Sequence, residues 1–131
     1  RVGYAFAHAS VADLMNRVRQ PFNVNSISLA AAAAGLADHE FVRRSFELNQ
    51  TGMRRVTAGL THLGLAFIPS YGNFVSFKVD DAGGVFQRLL KRGVIVRPIA
   101  GYGMPDYLRV SIGLESENER FLAALGESLA P

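Results

Sequence analysis

The sequence predicts a mixed α/β fold, and three observations predict it. Helix-like apolar spacing alternates with short strand-like apolar runs along most of the 131 residues. The composition is that of a globular protein, with 49% hydrophobic and 19% charged residues. Glycines stand where the predicted helices end. We therefore expect an α/β layer, of the α+β small-domain kind, from about residue 41 onward.

The first forty residues predict one strand and two helices, too little for a sheet of their own. Residues 2–7 are small and apolar, which is typical of a strand buried on both faces. Ser10 and Asp13 predict a capped helix that ends before Pro21. An alanine-rich helix is predicted over 27–37. These residues are expected to form the edge of a larger domain.

A long helix is predicted from about His39 to Leu63 and is ended by Gly64. At ~1.5 Å per residue it would be about 37 Å long, which suits a connector between two domains. Gly52 and Gly59 are expected to soften it. The predicted organisation is a domain remnant over 1–40 and a carboxy-terminal small domain over 41–131, with the helix of about 39–63 as connector.

Strands and helices alternate after the long helix. Strands are predicted over 65–68 and 73–79 and at the stretches VIVRPI and YLRVSIG. A helix over 85–90 is closed by Gly93. Ser116 and Glu119 predict a capping box that opens a final helix.

Composition excludes several classes of function. The chain has no cysteine, which excludes disulfides and thiolate metal sites, and His8, His39 and His62 lack metal-ligand spacing. Its net charge is +3, but the arginines are scattered rather than clustered with exposed aromatics, so no nucleic-acid partner is expected. No apolar run approaches the roughly 20 residues that span a bilayer, so no membrane partner is expected either.

The start RVGYAFAHAS lacks the charged region and unbroken apolar core of a signal peptide. We expect a cytoplasmic location. Since the chain begins in an apparent mid-strand sequence rather than with methionine, we also expect it to be a piece of a longer protein.

The stretch YLRVSIG raises a question about Arg109, which stands at the centre of an apolar strand. Alternation places Leu108 and Val110 on a core face and Arg109 on the other. If VIVRPI and YLRVSIG pair with a turn centred on Gly103, Arg97 falls opposite Arg109. Like charges directly opposite destabilise a sheet unless an anion separates them or one turns away. Two solvated arginines remain the alternative, because a loop of this length does not fix the register.

Four collinear stretches resemble the carboxy-terminal half of the histidinol-phosphate aminotransferases, which are fold-type I enzymes dependent on pyridoxal 5'-phosphate (PLP). They are RVGYAFA, LMNRVRQPFNVNSISLAAAAAGL, PSYGNFVSFKV and LLKRGVIVRPIAGYGMPDYLRVSIGLESENERFLAAL. The resemblance implies amino-group transfer between glutamate or 2-oxoglutarate and the phosphorylated amino alcohol or ketone of histidine biosynthesis. It also implies a homodimer.

The resemblance implies roles for individual residues. Arg1 matches the arginine that binds the cofactor phosphate. Arg109 matches the arginine that grips the α-carboxylate of glutamate or the phosphate of L-histidinol phosphate, and Arg97 matches a second arginine on the substrate anion. Asn25 and Asn73 are expected near the substrate by analogy.

One departure from the family pattern concerns the lysine that forms the Schiff base with PLP. Neither Lys78 nor Lys91, the lysines of this chain, matches its motif, and the resemblance places it upstream of Arg1. No catalytic residue is therefore assigned within the chain, which is expected to be inactive alone. The alternatives are another PLP enzyme, either a different amino-acid aminotransferase or a phospho-amino-acid decarboxylase, and a non-catalytic α/β anion-binding module.

Overall fold

A computed structural model describes residues 1–129 and separates the chain into two compact units, Arg1–Arg44 and Ser45–Pro131. The units are sets of residues in mutual contact. The assignment of 1–40 and 41–131 to two domains of a larger protein stays a prediction.

The first unit contains helices α1 (Ala9–Val18) and α2 (Ser26–Ala37) and the start of α3. Residues 1–8 form no strand, so the strand predicted over 2–7 is wrong. A strand needs a neighbour to satisfy its backbone groups, and no described residue pairs with this segment. The cap of α1 is also earlier than predicted, because a ring nitrogen of His8 accepts from the Ser10 amide at 3.4 Å.

Helix α3 spans His39–His62, as predicted. Its end is a glycine cap. Gly64 adopts a φ of 72°, a left-handed conformation that costs other residues energy. The Leu65 amide then donates to the Leu60 carbonyl at 2.9 Å, which satisfies one of the last carbonyls of the helix.

The second unit contains a four-stranded antiparallel sheet, which confirms the mixed helix and strand class. Its strands are β1 (Phe67–Ile68), β2 (Phe74–Lys78), β3 (Arg97–Pro98) and β4 (Tyr107–Ser111), in the order β1-β2-β4-β3. Helix α4 (Ala82–Lys91) connects β2 to β3, and α5 (Glu115–Leu129) follows β4. A short 3₁₀ turn, Ala100–Tyr102, lies between β3 and β4.

One face of the sheet forms the hydrophobic core of this unit. Because side chains alternate along a strand, the buried residues Val75, Phe77, Leu108 and Val110 share that face. Helices α3, α4 and α5 complete the core. The rings of Phe77 and Phe121 pack edge to face, with their centroids 5.7 Å apart. The core face predicted for YLRVSIG is confirmed.

Gly52 and Gly59 allow close packing of α3, which corrects the expectation that they soften the helix. A Cβ atom at Gly52 would lie 2.5 Å from Cγ2 of Ile112 and 2.8 Å from Nδ2 of Asn118. One at Gly59 would lie 2.5 Å from a methyl of Leu122. Neither site has room for a side chain.

The start of α5 differs from the predicted capping box of Ser116 and Glu119. The carboxylate of Glu117 accepts from the Leu114 amide at 2.7 Å, so the reaching-back glutamate is Glu117. Glu119 instead forms an ion pair with Arg55 of α3. Because α5 begins at Glu115, Glu117 and not Glu119 is its third residue and can reach back to the amide before the helix.

Candidate anion-binding site

The second face of the sheet carries the residues of the candidate site. We call it the arginine face. Among the strands of residues 1–129, alternation from the core residues places on this face all three cations, Lys78, Arg97 and Arg109, and no carboxylate. The face is therefore positively charged.

Arg97 and Arg109 are direct partners across the β3–β4 ladder. This confirms the register predicted from their equal distances to Gly103. Directly opposite residues in antiparallel strands have Cα atoms about 4.5–5.5 Å apart and point to the same face. Two permanently charged guanidinium groups are thus attached to adjacent backbone positions on one side of the sheet.

Within residues 1–129, the guanidinium groups of Arg97 and Arg109 form no hydrogen bond and no ion pair. Some other arginines of the second unit do have carboxylate partners: Arg55 binds Glu115 and Glu119, and Arg92 binds Glu127 at 3.0 Å. An external anion bound between the two like charges of the arginine face would relieve their repulsion.

Arg109 has one described neighbour that fixes its side chain. Its Cζ atom lies 4.7 Å from the centroid of the Phe74 ring, a cation–π contact. Phe74 is paired with Ser111, so its ring reaches Arg109 diagonally across β2 and β4. Arg109 is half-buried, whereas Arg97 is exposed. The ring leaves the polar edge of the Arg109 guanidinium available for a ligand.

Ser76 is a residue of this face that sequence reasoning missed. It pairs with Arg109 from β2, whereas Arg97 pairs with Arg109 from β3 on the other side. Ser76 is 9% exposed. The two-residue period of FVSFK could have identified it, since Val75 and Phe77 on either side are core residues. Arg109 therefore has Arg97 on one side and a serine hydroxyl on the other.

Asn73 lies at the entrance to β2, next to Phe74, and its side chain is exposed. Its carbonyl accepts from the Ile112 amide at 2.7 Å, which extends the ladder between β2 and β4. A further hydrogen bond holds this turn, because Nδ2 of Asn49 in α3 donates to the Gly72 carbonyl at 3.2 Å.

Arg1 and Asn25 belong to the first unit. Arg1 is exposed and precedes any helix. Asn25 is the N-cap of α2, where its side-chain oxygen accepts from the Ser28 amide at 2.8 Å. This structural role was not predicted, and it leaves the two N–H groups of the Asn25 amide available to a ligand.

Both lysines are exposed in the second unit. Lys78 ends β2 on the arginine face, and Lys91 ends α4. Across residues 1–129, no group of three histidine, aspartate or glutamate side chains could hold a metal ion. In that same part of the chain, no helix has the length and apolar character needed to cross a membrane.

Comparison with known proteins gives one family. The sequence profile described as aminotransferase class I and II matches residues 1–125. A histidinol-phosphate aminotransferase of Methylobacillus flagellatus is 66% identical over 129 residues, which are 98% of this chain and 35% of that protein. One from Dechloromonas aromatica is 62% identical over 129 residues, which are 98% of this chain and 36% of that protein. The chain thus spans about a third of the length of these relatives.

Solved structures agree with the sequence comparison. The histidinol-phosphate aminotransferase from Sinorhizobium meliloti, solved in complex with pyridoxal-5'-phosphate, superimposes with a TM-score of 0.75 at 26% identity. The match covers 92% of this chain and 34% of that structure.

Proposed function

Because the chain belongs to the class I and II aminotransferases, we propose that it is part of a histidinol-phosphate aminotransferase, a transferase of histidine biosynthesis. The full protein would exchange an amino group between L-histidinol phosphate and 2-oxoglutarate, with glutamate as the amino-acid partner. The observation that carries the proposal is the Arg97–Arg109 pair, two facing guanidinium groups without a carboxylate partner among the described residues.

Each substrate of that reaction presents an anion that this pair can bind. Arginine's planar fork matches the two oxygens of a carboxylate or phosphate. Arg109, steadied by Phe74, would hold the α-carboxylate of glutamate or the phosphate of L-histidinol phosphate. Arg97 would add a second fork, which matters most for a phosphate dianion.

The cofactor proposed for the full protein is PLP, which supplies the electron sink for amino-group transfer when it is bound. Within this chain Arg1 is the residue proposed to hold its phosphate, and the exposed Arg1 guanidinium fits such a role. Lys78 and Lys91 do not match the family's cofactor lysine, so we expect no transamination by the 131 residues alone.

Asn25 and Asn73 are proposed as further substrate contacts. Their exposed amides keep N–H donors that suit an anionic or hydroxylated ligand. The homodimer, the cytoplasmic location and the absence of nucleic-acid and membrane partners stay predictions.

The test uses the full-length protein that contains this chain. We expect Arg109→Ala to raise KM for both L-histidinol phosphate and glutamate, because loss of a desolvated charge pair costs on the order of 2–5 kcal/mol. The measurements are glutamate formation from L-histidinol phosphate and 2-oxoglutarate, and 2-oxoglutarate formation from glutamate in the reverse direction, with kcat and KM separated in each. Arg97→Ala should act in the same direction with a smaller effect, since Arg97 is exposed.

Arg54→Ala is the matched control, because Arg54 is an exposed arginine of α3 whose side chain, among the described residues, bonds only the hydroxyl of Thr51 at 3.2 Å. Its kinetics should equal those of the wild type. Unchanged KM values in Arg109→Ala would refute the assigned anion site.

A further inference from the structure

Ser76 shares the arginine face with Arg109 and has no partner there. It is the direct β2 partner of Arg109, so both side chains point to the same side of the sheet. Within residues 1–129, its hydroxyl makes no hydrogen bond. It is also not among the fully enclosed unpaired polar atoms, which are Oδ1 of Asn49 and Oγ of Ser128. The hydroxyl is therefore unpaired among the described residues and keeps some exposed surface, although Ser76 as a whole is only 9% exposed.

The strands around Ser76 make this position unusual. Ile68 of β1, Ser76, Arg109 and Arg97 form one row across all four strands. Ser76 is the row's neutral donor and lies next to its half-buried cation. An apolar residue would satisfy a central strand at this position equally well, and a hydroxyl contributes nothing to the fold unless it finds a partner.

The oxygens of the two candidate anions differ in number. A carboxylate has two oxygens, both of which one arginine fork can engage. A phosphate monoester has three terminal oxygens, each with several lone pairs, so the forks of Arg109 and Arg97 together still leave acceptor positions without a donor. A hydroxyl beside the fork of Arg109 can donate to a third oxygen, whereas a carboxylate has no third oxygen and offers only the remaining lone pairs of the two oxygens that the fork already engages.

We infer that Ser76 is a specificity-determining residue that donates a hydrogen bond to a phosphate bound at Arg109 and favours phosphate over carboxylate at this site. The inference rests on the proposed function, because it requires Arg109 to bind the substrate anion. It adds a residue and a direction of selectivity to that site.

The experiment compares Ser76→Ala with Ser76→Thr in the full-length enzyme. A hydrogen bond to a charged group is worth enough that its loss should raise KM for L-histidinol phosphate about tenfold. KM for glutamate should change less than about twofold, because the fork of Arg109 is retained. Ser76→Thr keeps the hydroxyl and should keep the wild-type ratio of the two KM values. Competitive inhibition by inorganic phosphate should weaken in Ser76→Ala in parallel.

Ser111→Ala is the matched control, since Ser111 lies on the same face in β4 but opposite Phe74 rather than Arg109. In Ser111→Ala, the ratio of the KM for L-histidinol phosphate to the KM for glutamate should equal that of the wild type. An unchanged ratio in Ser76→Ala, or an equal rise in both KM values, overturns the inference. Arg109→Ala measured in parallel separates the two claims, because normal KM values in that variant refute the proposed function itself.

Discussion

The two units of the chain differ in how their apolar residues are placed. In Arg1–Arg44 no residue is buried, and large apolar side chains such as Phe6 and Ile27 are 94% and 81% exposed. In the described part of the second unit, a continuous core includes Leu60, Phe77 and Leu108, which have no exposed surface.

This difference shows that secondary structure and burial have separate causes. Local signals are sufficient to specify α1 and α2, since each has a side-chain cap at its start. A core requires elements that are distant in sequence, and only the second unit brings a sheet and several helices together. We therefore expect substitutions in the two units to have effects of different size and sign.

The largest difference is expected between Phe77→Ala and Phe6→Ala. Removing the fully buried Phe77 ring should lower the free energy of unfolding by about 3–5 kcal/mol. Removing the exposed Phe6 ring should change it by less than about 0.5 kcal/mol. Urea denaturation of the 131-residue chain, followed by circular dichroism, measures both. Equal losses would contradict the contrast between the units.

Two helical glycines should respond with opposite signs. Gly52→Ala places a methyl group against Ile112 and Asn118, and should cost about 1–3 kcal/mol. Gly35→Ala in α2 meets nothing within 4 Å, and should stabilise its helix by about 0.5–1 kcal/mol. Urea denaturation followed by circular dichroism measures the change in the free energy of unfolding for both variants. A stabilising Gly52→Ala would show that α3 does not pack closely there.

The smallest change in stability is expected at Asn25, which caps α2 and is also proposed to bind substrate. Asn25→Ala removes the cap of α2 and should cost about 1 kcal/mol, whereas Asn25→Ser keeps a capping oxygen and should cost little. Far-ultraviolet circular dichroism reports the helix. Both variants lose the amide donors, so in the full-length enzyme both should raise KM if Asn25 also binds substrate. Normal KM values in both would leave Asn25 with the capping role alone.

The sequence predicted well what depends on neighbouring residues. The bounds of α3 and the glycine at its end follow from a continuous apolar stripe and a local stop signal. The Arg97–Arg109 register was only a conditional expectation, since the loop does not fix it; the structure has this register, and Gly103, midway between the two arginines, adopts a left-handed φ of 77°.

Features that depend on distant residues were not predictable in the same way. Gly52 has a reason to be glycine only when Ile112 and Asn118 are adjacent to it, about sixty residues along the chain. Ser76 became a candidate ligand-binding residue only when Arg109 was known to be its cross-strand partner. The strand predicted over 2–7 failed for the same reason, since its existence depends on a neighbour and not on its own composition.

The register of the Arg97–Arg109 pair limits the insertions and deletions that the loop between β3 and β4 can accept. Arg109 is fixed by pairing with β2 as well as β3, so its face does not depend on the loop. In the part of the chain that the structure describes, Arg97 pairs with β4 alone. A deletion of one residue within 99–106 that slides β3 by one position would turn Arg97 toward the core, because strand side chains alternate with a period of two. Insertions and deletions in this loop should therefore survive in active relatives only in sizes that keep Arg97 beside Arg109.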